Sequence, residues 1–200
     1  GVYYKEDTMA IFSQRNPSWI DWIVPERFND QDLFKIVIFF VFHSPCANLS
    51  TMSKSLSDYG WNTPWRKPYC LNKQLRQTAS TYNLIFSAKG YDEMEVALEK
   101  ADLKDAFPSD FSRERICIYD NQGNQFLSVF YHIRNAFAHC RLNMVDVDGE
   151  CVFILEDVQP KKNAEPLKVS ARMILRKSTL LNWIELIENG EREYKKIKVE

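Results

Sequence analysis

The sequence predicts an α+β protein that is predominantly α-helical, with a small antiparallel sheet following one central helix at Gln125 to Arg141. Three observations carry this. Segments of helical period dominate from Asp30 to Lys104; the stretch QFLSVFYHIRNAFAHCR repeats its apolar residues at about 100° per residue; and Asp148-Gly149 stands between two alternating runs, the strongest short hairpin signal in the chain.

Taken in order, residues 1–30 mix Tyr3, Tyr4, Trp19 and Trp22 with polar residues and two prolines, and read as a lead-in with short helical turns. Asp30 is an N-cap, and Gln31 to His43 is apolar nearly all round, a helix buried on most sides that ends near Pro45. A second helix begins at Asn48-Leu49-Ser50 and stops at Gly60. After the proline-punctuated Trp61 to Pro68 come a short helix, Leu71 to Ser80, and a strand, Tyr82 to Phe86; three short helices and a strand resemble a winged-helix arrangement. Tyr91 to Lys104 is an amphipathic surface helix closed by Phe107-Pro108. Glu114 to Tyr119 alternates as a strand, and Asp120 to Asn124 is a turn feeding the central helix. Leu142 to Val147 and Cys151 to Glu156 form the hairpin. Pro160 to Pro166 is a polar loop, and Leu167 to Arg176 is a third strand whose Lys168, Ser170, Arg172 and Arg176 give it a basic outer face. Ser178 or Thr179 caps a helix that Gly190 ends, and a charged tail follows.

Two hundred residues provide ample chain for a hydrophobic core. The expected organisation is a mainly helical N-terminal part over 1–110 and a core over 111–190, forming one compact unit. With 26 Lys plus Arg against 27 Asp plus Glu, no global basic field drives non-specific nucleic-acid binding, so any such contact is local. Trp65-Arg66-Lys67, an aromatic beside two cations, is a candidate RNA contact or a turn anchor. Five cysteines without a C-x-x-C pair argue for reduced thiols in the cytoplasm. Cys117, Cys140 and Cys151 are expected in the core, and the lone His43-x-x-Cys46 is a poor zinc candidate. The longest apolar run, Ile36 to Phe42, is far short of the roughly 20 residues that span a bilayer. No secretion signal is visible, and the opening Gly1-Val2 reads as a trimmed start.

The chemistry concentrates in the central helix. Phe126, Val129, Phe130, Ile133, Phe137 and Cys140 form its apolar stripe. The opposite side collects Ser128, His132, Asn135 and His139, with Arg134 and Arg141 on a flank, where an ordinary exposed face would carry Lys and Glu at i,i+4. Asn135 and His139 stack on one face, and Arg134 reaches over it from the edge. An imidazole takes and returns protons near neutrality, and a guanidinium binds phosphate oxygens in a planar fork. That pairing suits phosphodiester cleavage. No carboxylate lies on this helix face to hold a divalent cation, so neither a metal nor another cofactor is expected.

Arg134-Asn135-Ala136-Phe137-Ala138-His139 resembles the signature of the HEPN family: an arginine, a polar residue, three further residues and a histidine near a helix end. The resemblance implies a helical-bundle core and a homodimer in which the arginine and histidine of both copies line one cleft. It further implies a metal-independent endoribonuclease of the kind found in toxin-antitoxin, defence and RNA-processing systems. Residue by residue, Arg134 becomes the phosphate-contacting cation, Asn135 the residue that orients the imidazole or the phosphate, and His139 the acid-base group. RNA is the expected substrate and an antitoxin protein a candidate partner; no membrane is involved. Ser128, His132 and Arg141 are auxiliary or interface residues, the Ser128, His132, Asn135 and His139 face being expected to meet its symmetry mate. HEPN toxins regulated by modification of a tyrosine two residues after the histidine are not matched, because that position is Arg141.

A plainer account also fits: Asn135 and His139 cap the helix end, where a histidine gains typically about 0.3–1 kcal/mol from the dipole. The competing functions are a non-catalytic HEPN dimerisation or RNA-binding module, and a DNA-binding regulator acting through the N-terminal half.

Overall fold

The computed structural model describes residues 12–13, 30–46, 52–79, 84–104, 108, 110–159 and 167–199. Within them the elements, in chain order, are β1 (Phe12–Ser13), α1 (Gln31–Val37, continued by a π turn, Ile38–Phe42), a 3₁₀ turn (Leu56–Tyr59), α2 (Leu71–Gln77), β2 (Leu84–Ala88), α3 (Tyr91–Lys100), β3 (Arg115–Tyr119), α4 (Gln125–Ala138), β4 (Leu142–Val147), β5 (Glu150–Gln159), β6 (Leu167–Arg176) and α5 (Lys177–Val199). Apart from Phe12–Ser13, the lead-in before Asp30 lies outside the described residues, as do the helix start at Asn48 to Ser50, Phe107 and the loop 160–166.

The strands join one sheet in the order β2-β3-β6-β5-β4, with β1 added on β6. The β2–β3 pair is parallel and the others antiparallel. The fold is therefore mixed α/β rather than a predominantly helical bundle with a small antiparallel sheet after the central helix. The physical reason lies in both faces of the strands. In β5, residues Val152 to Val158 are all buried, and a sheet apolar on both faces must be covered on both. The helices are layers on that sheet.

One face presents Ile116, Ile118, Phe153, Leu155, Ala171, Met173 and Leu175 to α1, α2, α4 and α5. That cluster runs from Leu33 to Ile187, so the helices of the N-terminal part share a core with α4. The other face presents Cys117, Val152, Ile154 and Ile174 to Met94, Ala97 and Leu98 of α3. This covering layer overturns the expected basic outer face of β6. Arg172 is fully buried, its Nε donating to Glu156 Oε2 at 3.0 Å and its Nη1 to the carbonyls of Leu103 and Lys104 beyond the end of α3. The guanidinium thus pins the exit of α3 to the sheet.

Local chemistry explains the boundaries. Asp30 accepts from Asp32 N at 2.8 Å and starts α1. Gly60 ends the 3₁₀ turn at φ 92°, after a capping box between Ser55 and Asp58. Asn124 Oδ1 accepts from Phe126 N and Leu127 N to open α4. At its other end Cys140 N bonds Phe137 O at 3.1 Å and Arg141 N bonds Ala136 O at 2.8 Å, a Schellman closure with Cys140 at φ 55°. Cys140 is consequently exposed rather than in the core; Cys117 is buried and Cys151 half-buried. The first turn of α5 meets two carboxylates, Glu114 on Arg176 N and Thr179 Oγ1 and Glu150 on Ser178, the signs that a helix N-terminus favours. Gly190 (φ 68°) breaks α5, and a Cβ there would stand 2.4 Å from Tyr59 O.

Candidate functional site

Helix α4 is held against β3 and β5. Its aromatic side packs on the core, where Phe126 and Phe130 meet Trp183 and Phe137 meets Phe153 with ring centroids 5.6 Å apart. Its polar side, expected to face a symmetry mate, turns into the sheet. Ser128 and His132 are fully buried and Asn135 is 8 % exposed. Ala136, on the next position, is 1 % exposed.

Three buried polar side chains need partners, and the same chain supplies them. Ser128 Oγ donates to Asp120 Oδ1 at 2.7 Å and accepts from Gln122 N at 3.1 Å, which fixes the turn ahead of the helix. His132 places Nε2 2.7 Å from the carbonyl oxygen of Tyr119, at the end of β3, and Nδ1 2.7 Å from Asp157 Oδ2. A carbonyl only accepts, so Nε2 carries a hydrogen, and the Nδ1···Oδ2 contact joins the other side of the ring to the Asp157 carboxyl. Asn135 Nδ2 donates to the same Asp157 oxygen at 3.0 Å, and Asn135 Oδ1 accepts from Arg134 Nη1 at 3.0 Å. The result is one continuous chain of hydrogen bonds: Tyr119 carbonyl, His132, Asp157, Asn135, Arg134.

Asp157 is the residue that reading the helix alone misses. No carboxylate lies on the α4 face itself, but β5 brings this one against it, 1 % exposed and engaged by two donors. It stands where the β5–β6 register shifts: Asp157 pairs with Ala171 and Val158 with Val169, so Ser170 is the extra residue. Such bulges re-aim side chains. The sequence signal was Glu156-Asp157 inside the apolar run CVFILEDV, two carboxylates that a buried strand tolerates only when paired.

Arg134 is partly exposed, on an outward stripe with Leu127, Tyr131 and Ala138. His139, exposed, is the C-cap, its N–H bonded to Asn135 O at 2.9 Å. The guanidinium and imidazole therefore lie on the last turn and a half of one helix, Arg134 oriented by Asn135. Arg141, one step beyond, has Nη1 3.8 Å from the buried Glu156 carboxylate. It serves the sheet edge.

Trp65 is half-buried against the core, while Arg66 and Lys67 are exposed. His43 Nδ1 lies 3.2 Å from Met52 O, and Cys46 Sγ donates to Leu127 O at 3.0 Å. Burial pushes the Cys46 and Cys117 thiols up to about 12, so both are neutral packing groups. Among the described residues, no three His, Cys, Asp or Glu side chains are gathered to hold a metal ion, and no helix is long and apolar enough to cross a membrane.

No protein-family model matches the chain, and none of the curated proteins or solved structures matches it. The functional reading stands on the residues alone.

Proposed function

We propose that this chain is a HEPN-type, metal-independent endoribonuclease acting as a homodimer. The proposal rests on the motif and its setting, not on a helical-bundle fold. The observation that carries it is the hydrogen-bond chain that begins at the Tyr119 carbonyl and ends on Arg134, fixing a partly exposed guanidinium one turn before an exposed histidine. A phosphate-binding arginine profits from such pre-orientation, because a planar fork held in place loses less freedom on binding.

In the proposed reaction the ribose 2′-hydroxyl attacks the adjacent phosphorus. His139 of one copy takes the hydroxyl proton as the new O2′–P bond forms. The P–O5′ bond breaks, and His139 of the second copy protonates the leaving oxygen, giving 2′,3′-cyclic phosphate and 5′-hydroxyl ends. Arg134 holds the phosphate and offsets its growing negative charge. Asn135 orients Arg134 and Asp157 orients Asn135. Since the Ser128, His132 and Asn135 face is consumed within the chain, the two copies would meet through the outward stripe of Leu127, Tyr131, Arg134 and Ala138. A chain of this kind would act in the cytoplasm as a toxin or defence component, restrained by an antitoxin protein.

The second reading is a non-catalytic dimerisation or RNA-binding module, favoured by the satisfaction of Ser128, His132 and Asn135 inside the fold. Two measurements separate them. The nuclease reading expects a dimer in sedimentation at micromolar concentration and a bell-shaped pH dependence of cleavage around neutrality as two imidazoles divide the work. A protein that stays monomeric while binding RNA uncut would favour the module.

A further inference from the structure

The basic segment Arg66-Lys67, which the nuclease mechanism leaves unused, leads into an open groove. Trp65 anchors the turn in the core, Cys70 N bonds Arg66 O at 2.9 Å, Leu71 N bonds Pro64 O at 2.7 Å, and Cys70 turns the chain at φ 44° into α2. This brings Lys67 and Lys73 to one concavity of about 510 Å³, with Tyr69, Gln74 and Gln77 also lining it. Its floor is tied to the core: Gln74 Nε2 donates to Tyr69 O at 2.6 Å, and Tyr69 stands edge-on to the buried Trp61. No carboxylate lines the groove, and among the described residues neither lysine makes an ion pair. In a chain with a net charge of −1, a groove edged by two such ammonium groups is a local feature.

From these features we infer that the groove binds the sugar-phosphate backbone of single-stranded RNA, as the flanking-strand site of the proposed nuclease; its choice of RNA rests on that reading. Exposed lysines act as point charges on successive phosphates, where a closed phosphate pocket would need the fork of an arginine. An open trough lined by amide side chains as well as cations suits a polymer without a fixed sequence. The site is separate from the scissile phosphate. Helix α2 meets the start of α4, where Arg76 contacts Gln125 and lies over the ring of Phe126 at 5.7 Å. Arg134 lies nine residues further on, about 13 Å along the helix at 1.5 Å per residue. The groove would therefore act on affinity and KM for long substrates and leave kcat unchanged.

The test uses the full chain with Lys67→Gln and Lys73→Gln together, placed in a His139→Ala background for binding and in the native background for cleavage. Anisotropy of a labelled single-stranded RNA of about 12 nucleotides is followed between about 50 and about 200 mM salt. Loss of two phosphate contacts should flatten the plot of log K against log salt by about 1.4 and weaken binding about 25-fold at about 100 mM. In the native background the KM for that RNA should rise and kcat should hold. Unchanged affinity and slope, or cleavage at the parental KM, overturns the groove while leaving the nuclease reading intact. Lysine-dependent binding of RNA that the native chain leaves uncut upholds the groove and defeats the nuclease reading. An RNA duplex that binds as tightly as the single strand and loses as much on substitution overturns the single-strand assignment.

Discussion

Asp157→Ala tests whether the buried hydrogen-bond chain organises this molecule. The carboxylate is 1 % exposed and accepts from His132 at 2.7 Å and Asn135 at 3.0 Å through a single oxygen. Its removal strands two buried donors at about 1–3 kcal/mol each, so the expected loss is about 2–6 kcal/mol. That is a large share of the roughly 5–15 kcal/mol that holds a domain together. Urea unfolding at constant m reads the change directly. A cycle with His132→Leu should show the double variant less destabilised than the sum of the singles by more than about 1 kcal/mol, because the two changes remove the same contact. A loss below about 1 kcal/mol, or singles that simply add, would refute the reasoning.

Phe137→Ala should cost about 3–5 kcal/mol, since the ring is 6 % exposed and packs on Phe153, whereas exposed His139→Ala should move stability by no more than about 0.5 kcal/mol in the same melts. Cys140→Gly should stabilise by about 1 kcal/mol, because glycine occupies φ 55° without the left-handed penalty, and thermal denaturation would show it. In thiol labelling of the native protein at pH 8, Cys140 should react readily while Cys46 and Cys117, pushed up to about 12 by burial, stay protected until the chain unfolds. Hydrogen bonds from Asp32 N to Asp30 and from Ser55 to Asp58 hold both carboxyls below the ordinary 3.8; as depressed acids they contribute stability above that value and lose it as pH falls through the folded pKa. Asp58→Asn should therefore flatten the stability curve below about pH 4, as followed by circular dichroism.

Much of this fold could be read locally, and what could not was non-local. Asp148-Gly149 placed the hairpin, the alternation from Leu167 to Arg176 marked β6 end to end, and Gly60 and Gly190 stopped their helices at positive φ. These signals are fixed by neighbours a few residues apart. Assembly was not visible in this way: β2 and β3 are separated by α3 yet pair in parallel, and β6 lies between β3 and β5, contacts that no local period records. Taken singly, the strands looked like accessories to a helical bundle. The same limit applied to α4. Its residue types pointed to Arg134, Asn135 and His139, but its polar side faced two ways in principle, and only the bulged β5–β6 pair, carrying Asp157, turned it inward. Arg172 is the mirror case, a cation at an apparently outward position that α3 covers.

The most direct test of the account is incubation of the pure chain with mixed RNAs in chelator, followed by end-group analysis, alongside Arg134→Lys and His139→Ala. Metal-free cleavage to 2′,3′-cyclic phosphate and 5′-hydroxyl ends is expected. His139→Ala should lower the rate by about 10²–10⁴-fold, and Arg134→Lys should reduce it substantially while dimerisation is kept. Cleavage abolished by chelator and restored by magnesium, or parental rates in both variants, would contradict it.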